Sequence, residues 1–111
     1  MTDTEHLIRQ LIGGDPSAAA HLRQAARSSD DPVLLVAAAL ADPAARELLI
    51  RAGELASTTR ERQLSVIAAA HLDADAERVD ALARDHLADH PDSLLVAWIA
   101  AHSSHPEGTP S

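Results

Sequence analysis

Helix-start signals recur along this chain at nearly even intervals, and they constrain its fold more than any other feature of the sequence. Asp15-Pro16, Asp31-Pro32 and Asp42-Pro43 each place an aspartate before a proline. Aspartate is a favoured N-cap, and proline suits the first helical position, where its missing N–H is not needed. Two S/T-x-x-E segments, Thr2 to Glu5 and Thr58 to Glu61, match the capping box. The pattern predicts a series of helices joined by short turns.

Stop signals complete the prediction, because Gly13-Gly14 follows the first helix and His90-Pro91 ends the sixth. We predict seven helices, at 3–13, 16–28, 32–41, 43–57, 59–72, 75–89 and 92–103. No segment of the sequence alternates with a period of two, and the residues that strands prefer are scarce. We therefore expect an all-α fold with a single domain over 1–103. The segment 104–111, rich in proline and serine, is expected to be a disordered tail.

The spacing of the helix starts indicates a repeat. Starts at 16, 32, 43, 59, 75 and 91 give alternate helices that recur after 27 and then 32 residues. Short connections make successive helices pack antiparallel. A helix–turn–helix unit that repeats after about 34 residues is typical of tetratricopeptide arrays. The spacing therefore predicts stacked antiparallel hairpins.

Two segments in the second half of the chain carry a family resemblance. Thr58-Thr59-Arg60-Glu61-Arg62 opens an alanine-rich helix, and His86-Leu87-Ala88-Asp89-His90-Pro91-Asp92-Ser93-Leu94-Leu95 closes the next hairpin and begins a leucine-rich helix. In these motifs the chain, over residues 32–103, resembles a divergent tetratricopeptide-like (TPR-like) family. The resemblance implies an α-solenoid or bundle of hairpins that serves protein–protein interaction or oligomerisation, without catalytic residues.

Composition excludes several classes of protein. Seventeen acidic and nine basic residues give a net charge of −8. The chain has one tryptophan, Trp98, and no phenylalanine or tyrosine. Nucleic-acid binding relies on basic surfaces and stacking rings, so we expect no nucleic-acid partner. The lack of cysteine excludes disulfides and thiolate metal sites. The N-terminus is acidic, unlike the basic start of a signal peptide. The longest apolar run, Val33 to Ala41, falls far short of the ~20 residues that a membrane-spanning helix needs. We therefore expect a cytoplasmic chain with no membrane partner.

The sequence contains only weak candidates for metal-binding or catalytic residues. His86 and His90 are spaced i,i+4 and could share a helix face, which makes them the weak candidates for a metal site. Antiparallel packing would place His71 about 20 Å from His86, so no four-ligand cluster forms. Serines lie mostly in loops and caps, with Ser65 and Ser93 as the exceptions, and no G-x-S-x-G motif is present. We predict no cofactor and no enzymatic activity, and a small enzyme or metal protein that uses these histidines is the least favoured interpretation.

The last predicted helix carries the sharpest functional signal. Its segment Leu94 to Ala101 is apolar nearly all round, although the terminal element of a solenoid needs a polar outer face. Either this helix folds back under the first helices, or another chain covers it. The single tryptophan lies on it, and tryptophan is enriched at interface hot spots.

Arg60 is a second candidate, because a positive charge at a helix start is unfavourable and calls for an acidic partner elsewhere. The predicted function is an adaptor or oligomerising module that binds a protein partner or a second copy of itself. The residues predicted to make this interface are Leu94, Leu95, Trp98, Ile99, His102 and Arg60. The net charge of −8 motivates the alternative, a small acidic inhibitor or immunity-type protein that masks a basic partner.

Overall fold

The structure, a computed structural model, describes residues 4–103. Over this range it contains seven α-helices, one 3-10 turn and no strand, which confirms the all-α prediction. The predicted disordered tail, 104–111, lies outside the described residues. The helices are α1 (Thr4–Ile12), α2 (Ala18–Ala26), α3 (Pro32–Ala41), α4 (Glu47–Leu55), α5 (Thr59–Leu72), α6 (Ala76–Asp89) and α7 (Leu94–Ser103).

Two helices have the predicted bounds because their predicted caps form. At the start of α3, Asp31 Oδ1 accepts a hydrogen bond from the Val33 N–H at 3.0 Å. At the start of α5, Thr58 Oγ1 accepts from the Glu61 N–H at 3.1 Å, and the Glu61 carboxylate accepts from the Thr58 N–H at 3.3 Å. This reciprocal pair is the capping box predicted for Thr58 to Glu61.

The predicted helix start at residue 16 is wrong, and residue 43 starts a short 3-10 helix rather than the predicted α-helix. The Asp15 carboxylate accepts from the Ser17 N–H at 2.9 Å and closes a turn, after which α2 begins. The Asp42 carboxylate accepts from the Ala44 N–H at 3.3 Å and opens the 3-10 turn that precedes α4. The backbone angle that proline imposes suits a tight turn as well as a helix, so the Asp-Pro pair did not distinguish them. Similarly, α7 begins two residues after its predicted start at 92.

The helices form two layers. In the inner layer α1 contacts α3, α3 contacts α5, α5 contacts α7, and α7 contacts α1. The outer helices α2, α4 and α6 pack mainly against their neighbours in sequence. The last helix therefore folds back onto the first, which is one of the two alternatives that its apolar sequence left open. None of the helices within residues 4–103 is both long enough and apolar enough to cross a membrane.

The core is centred on α3, as its uniformly apolar sequence predicts. Every residue from Leu34 to Leu40 is buried, and Leu35 to Ala39 have no exposed surface. Three of these residues are alanines, whose small side chains let the surrounding helices approach α3 closely. Protein interiors are close-packed, so a helix enclosed on all sides cannot change volume without moving its neighbours.

Candidate functional site

The amino ends of all four inner helices surround one cavity of about 800 Å³, termed here the amino-end cavity. Because helix starts from α1, α3, α5 and α7 all line it, these four helices run in the same direction. The volume lies within the range of known ligand sites, about 300–1,000 Å³. Each of the four helices contributes apolar residues to the lining, and these are Ile8, Val33, Leu64, Leu94 and Leu95.

The rim of the amino-end cavity is charged, and its charges are paired with one another. Arg60 Nη2 lies 3.2 Å from Asp92 Oδ1, which links α5 to the turn before α7. The predicted acidic partner of Arg60 is thereby identified. On α1 itself, Arg9 Nη2 lies 2.7 Å from Glu5 Oε2. These side chains are well exposed, so each ion pair contributes little to stability and can be exchanged for another partner.

Two further carboxylates of the cavity serve the helix starts. Thr4 Oγ1 donates to Asp31 Oδ2 at 2.9 Å, which joins the start of α1 to that of α3. The Glu61 carboxylate accepts from the Ser57 N–H at 2.8 Å, and this bond is the main cause of its lowered pKa. Glu61 is therefore ionised at neutral pH. Negative charge at helix starts offsets the positive end of each helix dipole.

A buried histidine joins α5, α6 and the start of α7 next to the cavity. His86 is 1 % exposed, and its Nδ1 lies 2.8 Å from Gln63 Oε1 while its Nε2 lies 3.2 Å from Ser93 Oγ. The amide oxygen of Gln63 can only accept, so Nδ1 carries the proton. The lone pair of Nε2 then accepts the hydrogen bond from the Ser93 hydroxyl. Ser93 is itself 8 % exposed and lines the amino-end cavity.

The surroundings of His86 hold it in the neutral form. Burial is the main cause of its lowered pKa, and electrostatic interactions with the nearby His90 and Arg60 lower it further. Asp89 acts in the opposite direction. Desolvation disfavours the imidazolium ion because a charge loses more hydration free energy than a neutral ring. At neutral pH the His86 ring is therefore uncharged, and its Nε2 is free to act as a base.

The two histidines considered for metal binding lie side by side, with ring centroids 4.9 Å apart. Both ring nitrogens of His86, however, already have hydrogen-bond partners in Gln63 and Ser93. Among the described residues, no group of three or more histidine, aspartate or glutamate side chains is placed to hold a metal ion. His86 and His90 thus lack the convergent ligands that a zinc site requires.

The six residues predicted to form an interface lie in three different places. Arg60, Leu94 and Leu95 line the amino-end cavity, and Leu94 is 38 % exposed. Ile99 has no exposed surface and belongs to the core. Trp98 and His102 lie further along α7, toward its carboxyl end.

Trp98 is half-buried between two histidines. Its ring stacks on His102, with centroids 4.2 Å apart, and meets the edge of His71 at 5.9 Å. His102 Nδ1 also donates to the Trp98 carbonyl oxygen at 2.8 Å. The Trp98 surface that was predicted to contact a partner is therefore partly covered by the imidazole rings of His71 and His102.

No signal in the sequence points to the contact of Gln63 with His86 or to the cavity position of Ser93. No local motif links residues 63, 86 and 93, and the packing of α5 against α6 and α7 brings them together. A scan against protein-family models, a search of curated proteins and a search of solved structures found no match to this chain.

Proposed function

We propose that this chain is a TPR-like adaptor module that binds a protein partner through the amino-end cavity. The observation that carries the proposal is a cavity of about 800 Å³ that combines apolar lining residues with a charged rim, and Arg60, Leu94 and Leu95 are among its lining residues. These are three of the residues to which the sequence assigned the interface. The proposed function is binding and requires no cofactor.

The composition of the cavity suits a segment of a partner protein. Its apolar lining residues can accept an apolar side chain, for which Leu94 supplies exposed contact area beside the buried Leu95. The ion pairs of Arg60 with Asp92 and of Arg9 with Glu5 lie at the rim and can re-pair with charges on the partner. Interfaces typically combine an apolar centre with a polar rim in this way.

The contacts between alternate helices support the TPR-like part of the proposal. Stacked hairpins bring each helix against the next but one, as α1 meets α3, α3 meets α5 and α5 meets α7. The contact of α7 with α1 departs from an open solenoid, because it joins the two ends of the inner layer. In the proposed module this closure forms the fourth side of the amino-end cavity.

A displayed library of random peptides tests the proposal whatever the identity of the partner. Peptides enriched on the full chain are expected to lose at least about tenfold in affinity on Leu94→Asp, because a buried charge faces their apolar anchor. The matched control is Ile12→Asp, since Ile12 has the same exposure of 38 % but lies at the carboxyl end of α1. Enriched peptides that bind both variants equally well would place the binding surface elsewhere.

The acidic-inhibitor function is the second candidate, favoured by the charges of the cavity itself. Its four carboxylates, those of Glu5, Asp31, Glu61 and Asp92, outnumber the guanidinium groups of Arg9 and Arg60. With the net charge of −8, this excess favours a basic partner. Enriched peptides should then be rich in lysine and arginine and should bind more weakly as salt rises. Affinity that does not change with salt argues for the adaptor function instead.

A further inference from the structure

We propose that Ser93 is a nucleophilic serine that accepts an acyl group from an activated ester bound in the amino-end cavity, with His86 as its general base. Gln63 is the positioning residue of this site. The inference goes beyond the proposed binding function and does not depend on it. It also runs against the sequence expectation that the chain has no enzymatic chemistry.

The geometry supplies the three parts that activate a serine. A nucleophile must lie within hydrogen-bond reach of a base, and a third group must orient that base. Here Ser93 Oγ lies 3.2 Å from His86 Nε2, and His86 Nδ1 lies 2.8 Å from Gln63 Oε1. Because Gln63 holds the proton on Nδ1, the lone pair of Nε2 faces the serine hydroxyl.

The position of Ser93 at the start of α7 supplies the site for a developing negative charge. Its carbonyl oxygen accepts the first hydrogen bond of the helix, from the Ala97 N–H at 3.1 Å. The N–H groups of Leu94, Leu95 and Val96 precede that bond and so have no acceptor within α7. Backbone N–H groups of this kind, beside the nucleophile and at the positive end of a helix dipole, stabilise the oxyanion of acyl transfer.

The proposed step balances without a redox partner. Ser93 Oγ attacks the carbonyl carbon of the ester, and its proton passes to His86 Nε2. When the tetrahedral intermediate collapses, the bond between the carbonyl carbon and the leaving oxygen breaks, and that oxygen takes the proton from His86. The products are an acylated Ser93 and a free alcohol, and His86 returns to its neutral form.

The cavity also indicates the class of acyl group. Ser93 is followed by Leu94 and Leu95, and Leu64 lies on the same lining surface. An apolar acyl chain can contact these leucines, whereas the charged rim faces water. Esters of short, uncharged carboxylic acids are therefore the expected donors.

Two probes test the inference on the full chain: a fluorophosphonate, which labels activated serines, and p-nitrophenyl acetate. Peptide mass mapping should locate both adducts on Ser93, formed about 10²-fold faster than on any other serine, as general-base activation provides. Ser93→Ala should abolish labelling. The matched control is Ser65→Ala, since Ser65 has the same exposure of 8 % and donates to the Arg62 carbonyl rather than to a base. Far-UV circular dichroism verifies that both variants are folded.

Gln63→Glu separates an activated serine from a merely structural hydrogen bond. Gln63 is exposed, so a carboxylate is tolerated there, and it would stabilise the protonated form of His86. The titratable groups that already face His86 are Asp89 of α6, His90 directly after it and Arg60 of α5, and they are unchanged in this variant. The pH midpoint of labelling should therefore move upward. An absence of adduct on Ser93, equal labelling of Ser93→Ala, or an unmoved pH midpoint would each overturn the inference.

Discussion

The Ser93 hydroxyl lies 3.2 Å from Nε2 of the buried His86, so the residue just before α7 is hydrogen-bonded to a side chain of α6. The same imidazole reaches α5 through Gln63. One side chain thus connects three helices at the edge of the amino-end cavity. A buried polar group in such a network contributes to stability only while its partners are in place.

His86→Ala should destabilise the fold by about 2–4 kcal/mol, because it leaves a cavity and removes the partner of the buried Ser93 hydroxyl. His90→Ala, at a half-buried helix end on the same face, should cost less than about 1 kcal/mol. Urea denaturation followed by far-UV circular dichroism measures both values. Equal losses in the two variants would contradict the role assigned to His86.

Stability should fall on mild acidification. Burial is the largest cause of the lowered pKa of both His86 and His71, each relative to an ordinary value of 6.5. As the pH falls, the unfolded chain therefore binds protons at these two histidines at a higher pH than the folded chain does. The stability that the neutral histidines contribute above pH 6.5 is lost as the pH falls below 6.5. Carboxylates titrate below this window. The free energy of unfolding should be smaller at pH 5.5 than at pH 7.5, and an equal or larger value at pH 5.5 would show that neither histidine is held neutral by the fold.

Ala38→Leu should destabilise the chain by about 1–3 kcal/mol, because Ala38 has no exposed surface and α3 is enclosed by its neighbours. Ala20→Leu makes the same change on the exposed face of α2 and should alter stability by no more than about 0.5 kcal/mol. Thermal unfolding of the two variants provides the comparison. A tolerated leucine at residue 38 would show that α3 is not the close-packed centre.

Thr58→Ala should cost about 0.5–2 kcal/mol, since it removes the side-chain acceptor of the capping box at the start of α5. The control is Thr59→Ala, one residue further on, where the exposed side chain caps nothing in the described structure. Chemical denaturation should rank the two variants in this order. The reverse order would show that the capping box does not stabilise α5.

The sequence predicted those elements whose stability is local. The bounds of α3 and α5 follow from the caps Asp31 and Thr58, which bond to residues within their own first turn. Asp15 and Asp42 offer the same local signal, yet a turn follows Asp15 and a 3-10 turn follows Asp42. An α-helix continues only where its first residues also pack against the rest of the protein. Local chemistry could not distinguish these two cases.

The site could be predicted only in part, because it depends on distant contacts. Arg60 could be singled out because its positive charge lies at a helix start, where it is unfavourable. Leu94 could be singled out because it belongs to an apolar terminal helix. Thr4 and Asp31, from the first third of the chain, line the same cavity, and this arrangement requires the contact of α7 with α1. Ile99, also on α7, has no exposed surface, although the last helix of a linear array would be expected to have an open face.

Site-specific photo-crosslinking in cells that encode the chain tests the central claim, that the amino-end cavity is the partner-binding site. A benzophenone amino acid is placed at Leu94, at the rim of the cavity, or at Ile12, which has the same exposure of 38 % but lies at the far end of α1. A crosslinked partner is expected from position 94 and none from position 12. A partner captured from position 12 and not from position 94 would contradict the claim.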